Sequence, residues 1–209
     1  MLKTMIFIDF ENFYIALKDF CDENNLNYKI DYKKLSTILI NECNQKHLTH
    51  EKHSYIKTYV FYPEPDKKLK ESIFYANELN WINMLNDFDY FEVIKGRHIC
   101  RPTGNLKYED ININDKTTYY KVEKGTDINL ANTVLTKAFN NSFDVAIIIS
   151  GDSDYIPVLD TLRNLGKIVI ICAVETQRID YLKKHSDSQI FINKEIINNC
   201  FKDKTKIHI

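Results

Sequence analysis

Phe143-Asp144-Val145-Ala146-Ile147-Ile148-Ile149-Ser150-Gly151-Asp152-Ser153-Asp154 is the stretch on which the fold turns. Five consecutive apolar residues, four of them β-branched, read as a strand buried on both faces, because a half-exposed strand alternates and a helix needs a longer run. A glycine and two carboxylates follow. Then comes Tyr155-Ile156-Pro157-Val158-Leu159, an apolar run that tolerates proline only in the first turn of a helix. Asp152 and Asp154 therefore sit on a strand-to-helix loop, at the carboxyl rim where open α/β sheets bind ligands. Helix capping would account for one of them. A functional role for both requires further acids on the same rim.

Working outward, Met5-Ile6-Phe7-Ile8-Asp9 is a second short buried strand ending in a carboxylate. Asn12 reads as the cap of a helix running to about Cys21, and Asp31 as the cap of the next. His47, His50 and His53 fan across the helical repeat instead of converging, so that segment reads as a solvated connection. Residues 54–62 read as a strand ended by Pro63, and residues 66–86 as a helix with an apolar stripe of Leu69, Ile73, Ala76, Leu79 or Asn80, and Met84. Lys67, Lys68 and Lys70 in its first turn read as solubilising charge, with an anion contact as the alternative. A strand at 88–94 precedes a polar stretch, residues 98–121, expected to form a hairpin or flap. Asp127 opens another helix. Gly166 stops the helix that begins at Tyr155, and residues 167–174 and 188–192 supply two more strands.

Strands alternate with helices throughout, which predicts a mostly parallel sheet with right-handed crossovers in a single domain spanning residues 1–209. Pairing of strand 5–8 with strand 145–149 would end Asp9 and Asp152 on strands about 4.8 Å apart, with Asp127 placed to complete a cluster. Crowded carboxylates with no Lys or Arg between them are stable mainly around a divalent cation, and oxygen-only ligands favour Mg²⁺ or Mn²⁺ over zinc.

Bulk properties narrow the function classes. A net charge of -1 excludes binding of polyanions by bulk attraction, so nucleic acid would have to meet a local basic patch. The five cysteines, at 21, 43, 100, 172 and 200, have no CxxC spacing and read as reduced, buried thiols. No leader-like segment and no apolar run of bilayer length is present, so a cytoplasmic, membrane-free protein is expected. No G-x-G-x-x-G follows any strand, which argues against a dinucleotide site. Asp9 is followed by Phe10-Glu11-Asn12, which does not suit a DxDxT phosphotransferase.

Three segments taken together resemble the NYN domain, a branch of the PIN-like nuclease superfamily, close to its LabA-like bacterial members. They are Phe7-Ile8-Asp9-Phe10-Glu11-Asn12, Lys124-Gly125-Thr126-Asp127-Ile128-Asn129-Leu130 and Ile149-Ser150-Gly151-Asp152-Ser153-Asp154-Tyr155, and the likeness runs from residue 3 to about 193. The resemblance implies a PIN-like three-layer α/β/α sandwich and an Mg²⁺- or Mn²⁺-dependent endoribonuclease. Asp9, Asp127 and Asp152 would bind metal, with Asp154 a fourth acidic member or a group supporting the ligands from behind. Asn12 and Ser150 would orient phosphate, water or a carboxylate. Thr126 stands where some relatives carry a second acid. The substrate expected is single-stranded RNA, with Lys95, Arg97, Arg101, Lys121 and Lys124 on its backbone and Tyr62 or Tyr119 stacking a base. The alternative is an inactive RNA-binding or protein-interaction module on the same fold, and a homodimer stays open as its assembly.

Overall fold

The computed structural model describes residues 1–46 and 51–201. The opening stretch forms a strand as expected: Val145–Ile149 is buried at every position. It pairs in parallel with β1, Leu2–Asp9, in a register that ends at Ile8↔Ile149. Numbering in chain order, β2 is His53–Pro65, β3 Phe91–Pro102, β4 Tyr119–Lys124, β5 Val145–Ile149, β6 Ile168–Val174 and β7 Ser188–Ile192. They make one seven-stranded sheet in the order β4-β3-β2-β1-β5-β6-β7. Every pairing is parallel except β3 with β4.

The helices are α1 Phe10–Glu23, α2 Tyr32–Gln45, α3 Ile73–Leu85, α4 Thr126–Phe139, α5 Ile156–Asn164, α6 Asp180–Lys184 and α7 Lys194–Asn199. Alternation along β1 sorts them into two layers. Ile6 and Ile8 face a core shared with Phe13 and Leu17 of α1, Leu35 and Leu39 of α2, Ile82 of α3 and Ile197 of α7. Met5 and Phe7 face the opposite core, with Leu130 and Val134 of α4, Leu159 and Leu162 of α5 and Leu182 of α6. The result is a mostly parallel sheet, as the strand-helix alternation predicts, in the three-layer α/β/α sandwich that the resemblance implies. No helix among the described residues is long and apolar enough to cross a membrane.

Four details differ from the sequence reading. Asp9, not Asn12, caps α1, accepting from the Asn12 N–H at 3.4 Å. β2 runs through Pro63 to Pro65, because its pairing with β1 ends at Phe61 and beyond that point it has a partner only in β3, an edge-like stretch that tolerates proline. The predicted stripe on residues 66–86 holds only in part, at buried Leu69 and at Leu79, because a 3-10 turn at Leu69–Glu71 precedes α3 and resets the helical phase. Ile73 and Met84 are exposed, and Ile82 and Leu85 are buried instead. The strand expected to end at 94 continues to Pro102, and its arm pairs with β4 across a loop containing a 3-10 turn at Tyr108–Asp110.

Lys68 pairs with Glu71 at 3.0 Å and Lys70 with Glu64 at 2.7 Å, in keeping with surface charge. His47 and His50 lie outside the described residues. His53 is buried at the start of β2, its Nδ1 2.9 Å from Thr4 Oγ1, and so is not part of a solvated connection. All five cysteines are buried and free.

The central strand packs on both faces, so truncation there leaves a cavity that neighbouring layers cannot close. Ile148→Ala should lower unfolding free energy by about 2–5 kcal/mol in urea titrations.

Candidate active site

The register of β1 with β5 places Asp9 and Ser150 side by side, one residue past the last paired positions. Asp9 is only 5% exposed, so the protein must supply the hydrogen bonds that water would give. Its Oδ2 accepts from Ser150 Oγ at 3.0 Å and from the Tyr155 hydroxyl at 3.3 Å. The same hydroxyl donates to Asp127 Oδ1 at 2.8 Å. A phenol has one proton, and two carboxylates meet it here. When the proton lies toward Asp127, Asp9 faces an oxygen lone pair.

Electrostatics follow from that arrangement. Burial, reinforced by the charge of Asp127, pushes the Asp9 carboxyl up to about 6 against the hydrogen bonds of Ser150, Asn12 and Tyr155. Asp127 is also raised, first by burial and then by the charges of Glu123, Asp152 and Asp154, while Tyr155 opposes the shift. Burial and the two acids hold the Tyr155 phenol protonated far above its ordinary range. Among the described residues, Asp9, Asp127, Asp152 and Asp154 form no ion pair.

Asp127 reaches the rim because α4 abuts β3. A Cβ on Gly96 would come within 2.2 Å of Thr126 Oγ1 and 2.8 Å of the Thr126 nitrogen, so only glycine permits this approach. Thr126 is itself buried with a partnerless hydroxyl, and its N–H donates to Glu123 at 2.8 Å.

A second network ties the rim loops together. Asn12 Oδ1 accepts from the Gly151 N–H and from Gln177 Nε2, each at 2.9 Å, and Gln177 Oε1 accepts from the Val174 N–H. Asn12 thus orients the loops after β5 and β6, while Ser150 orients a carboxylate. Sequence reasoning missed Tyr155 and Gln177. Tyr155 looked like core, and its ring is buried; its position next to the two acids was the available signal. Gln177, in a polar loop, carried none.

The acids do not all converge. Asp152 Oδ1 accepts from the Asp154 N–H at 2.9 Å, so Asp152 caps the 3-10 turn Ser153–Tyr155. Among the described residues no three His, Cys, Asp or Glu side chains lie close enough together to hold one metal ion. The expected cluster of Asp9, Asp127 and Asp152 is therefore reduced, as the side chains stand, to Asp9 and Asp127 bridged by Tyr155, with Asp152 and Asp154 acting on Asp127 through charge.

The basic residues also divide. Register places Arg97 opposite Lys124 and Cys100 opposite Lys121, so alternation sets Arg97, Arg101 and Lys124 on one face of the arm and Lys121 on the other. Lys121 is held by Glu11 at 3.1 Å, and Lys95 donates to Asn83 at 2.8 Å. Glu11 also meets His98 Nε2 at 2.9 Å; burial pushes its carboxyl up, but His98 and Lys121 together bring it below its ordinary value. Tyr62 and Tyr119 are buried, at 1% and 8% exposure, which rules them out as base-stacking surfaces.

The NYN domain model matches residues 3–193. Among solved structures, a protein of unknown function from Vibrio parahaemolyticus RIMD 2210633 superposes with a TM-score of 0.59 at 17% identity, covering 93% of this chain and 94% of that one, a likeness of fold alone. No curated protein matched.

The raised carboxyl of Asp9 makes a signed prediction. Between 3.8, the ordinary value, and about 6 the folded chain binds more protons than the unfolded one, so stability falls as pH rises through that window. The loss is on the order of 3 kcal/mol. In urea unfolding with a chelator present, Asp9→Asn should gain stability relative to the parent chain between pH 4 and pH 7.

Proposed function

Because the chain belongs to the NYN domain family, a branch of the PIN-like superfamily, we propose that it is a divalent-metal-dependent endoribonuclease. The observation that carries this reading is the meeting of Asp9 and Asp127 on one tyrosine hydroxyl at the carboxyl rim, with no ion pair to either among the described residues. The donors fit Mg²⁺ or Mn²⁺ in kind and in charge: they are oxygen-only, and their ionised forms repel. Asp9 and Asp127 would hold the ion, with Asp152 and Asp154 turning toward it from their loop. When bound, it supplies charge neutralisation at the scissile phosphate and a more acidic water.

The chain's own groups do the rest. Ser150 and the N–H of Asn12 fix the carboxylate of Asp9. Tyr155 keeps its proton and aims Asp127. The Asn12–Gln177 network holds the loop bearing Asp152 against α1. Exposed Arg97, Arg101 and Lys124, with Lys95 beside them, offer a local cationic surface to the RNA backbone, which a chain of net charge -1 needs.

One observation favours a second reading, a binding module without turnover: the capping role of Asp152 leaves no three ligands convergent. A direct assay separates the two. Purified protein with labelled single-stranded RNA and DNA should cleave RNA when Mn²⁺ is added and not in its absence. Asp127→Asn should reduce cleavage by more than the roughly 10–100-fold typical of outer-shell changes. Calorimetry with Mn²⁺ showing no heat, together with no turnover on varied RNAs, would establish the module instead.

A further inference from the structure

Beside the acidic rim, on the face covered by α1 and α3, lies a cavity of about 410 Å³. Its walls are aromatic: Phe10, Tyr14, Tyr28, Tyr32, Phe74 and Trp81. The rings brace one another, with Tyr32 edge-on to Trp81 at 5.2 Å, Phe10 stacked on Tyr14 at 5.4 Å and Tyr14 edge-on to Tyr28 at 5.8 Å. Phe10 directly follows Asp9. Phe10, Tyr14, Phe74 and Glu78 also line a smaller depression that reaches Glu11, His98 and Lys121, so the cavity extends past the start of α1 toward the β3–β4 arm.

Glu78, Tyr32 and Asn77 bring polar groups to this aromatic box. Glu78 accepts the Tyr62 hydroxyl on Oε1 at 2.9 Å, but its Oε2 accepts from no described residue. Burial, with the charge of Glu11, raises its carboxyl against the Tyr62 hydrogen bond and the charges of Lys121 and His98. Tyr32 is 97% buried, lines the cavity, and its hydroxyl makes no hydrogen bond with a described residue. The exposed Lys29 stands on the same wall. Hydrocarbon would leave the carboxylate unmet, and a large polar ligand would waste the rings. The fitting occupant is flat, polarisable and edged with N–H donors.

We propose that this cavity is a nucleobase subsite that selects guanine in single-stranded RNA, an inference that rests on the ribonuclease reading and names its preference. A base splayed out of a single strand stacks on aromatic side chains and is read along its Watson–Crick edge. Guanine presents two adjacent donors there, N1–H and the N2 amino group, which suit a carboxylate. Adenine sets an acceptor beside its single amino donor and would face the carboxylate with a lone pair. A pyrimidine fills less of the box. Lys29, on the cavity wall, would meet the phosphate of the bound nucleotide.

The test is nucleotide binding to the full chain in a chelator, followed by Trp81 fluorescence and calorimetry, so that it needs neither metal nor turnover. GMP should bind at least about tenfold more tightly than AMP or CMP. Glu78→Gln, which still accepts from Tyr62, should remove that preference. Phe74→Ala, at a half-exposed position that the fold does not need, should weaken GMP by roughly tenfold or more. Equal binding of all nucleotides, no binding, an unchanged preference in Glu78→Gln, or capture of tetramethylammonium in place of GMP would each overturn the proposal. Guanine selectivity without RNA cleavage would sink the nuclease reading and leave the subsite standing.

Discussion

The rim of this sheet is organised by the need to solvate one buried carboxyl group. Asp9 ends a strand that is buried from Thr4 onward, and water barely reaches it. Each of its hydrogen bonds comes from a different element: Ser150 after β5, Tyr155 before α5, and the backbone of α1 itself. Removing the parallel register of β1 with β5 would separate the first of these, and misplacing α5 the second. The constraint therefore reaches from a single side chain to the order of the strands.

That solvation is incomplete, and the incompleteness is informative. Tyr155 brings one proton to two acids, so the folded chain retains negative charge it does not neutralise. Such an arrangement opposes folding, and the core on both sheet faces must offset it. A purely structural rim would place arginine or lysine among these acids. Here Arg97, Arg101 and Lys124 stand on the β3–β4 arm and, among the described residues, form no ion pair with the two acids, while Lys121 is spent on Glu11. Separation of charge, more than its sum, is what the net value of -1 conceals.

How much of this was legible depended on the kind of signal. The run at 145–149 and the shorter one at 5–8 announce buried parallel strands because burial on both faces forbids polar residues, and the carboxylates ending them stand out for the same reason. Residues 95–102 hid their strand: Lys95, Arg97 and Arg101 alternate with Gly96, His98 and Cys100, a half-exposed pattern whose buried positions are not the usual apolar ones. The break at Ser72 was invisible because residues on either side keep helical composition while the phase changes. Tyr155 could be placed in the core but not given a role, since its ring and its hydroxyl answer to different demands. Whether Asp152 points into the cluster or caps its own turn is a matter of one side-chain rotation, which no spacing encodes.

The aromatic cavity and the acidic pair share an element, and that sharing has a mechanical consequence. Phe10 and Asp9 are consecutive, one turned into the cavity and the other held at the rim, so α1 cannot shift to suit one without disturbing the other. Asn12, one turn further along, pins that helix to Gly151 and Gln177. A strand of RNA seated across both would meet groups whose spacing is set by a single helix turn and not by a loop. Repulsion from unneutralised Asp9 and Asp127 would oppose its phosphates until a divalent cation is present. On the proposed reading, RNA engagement and metal loading are therefore coupled by charge, with the aromatic walls supplying the part of the affinity that does not depend on it.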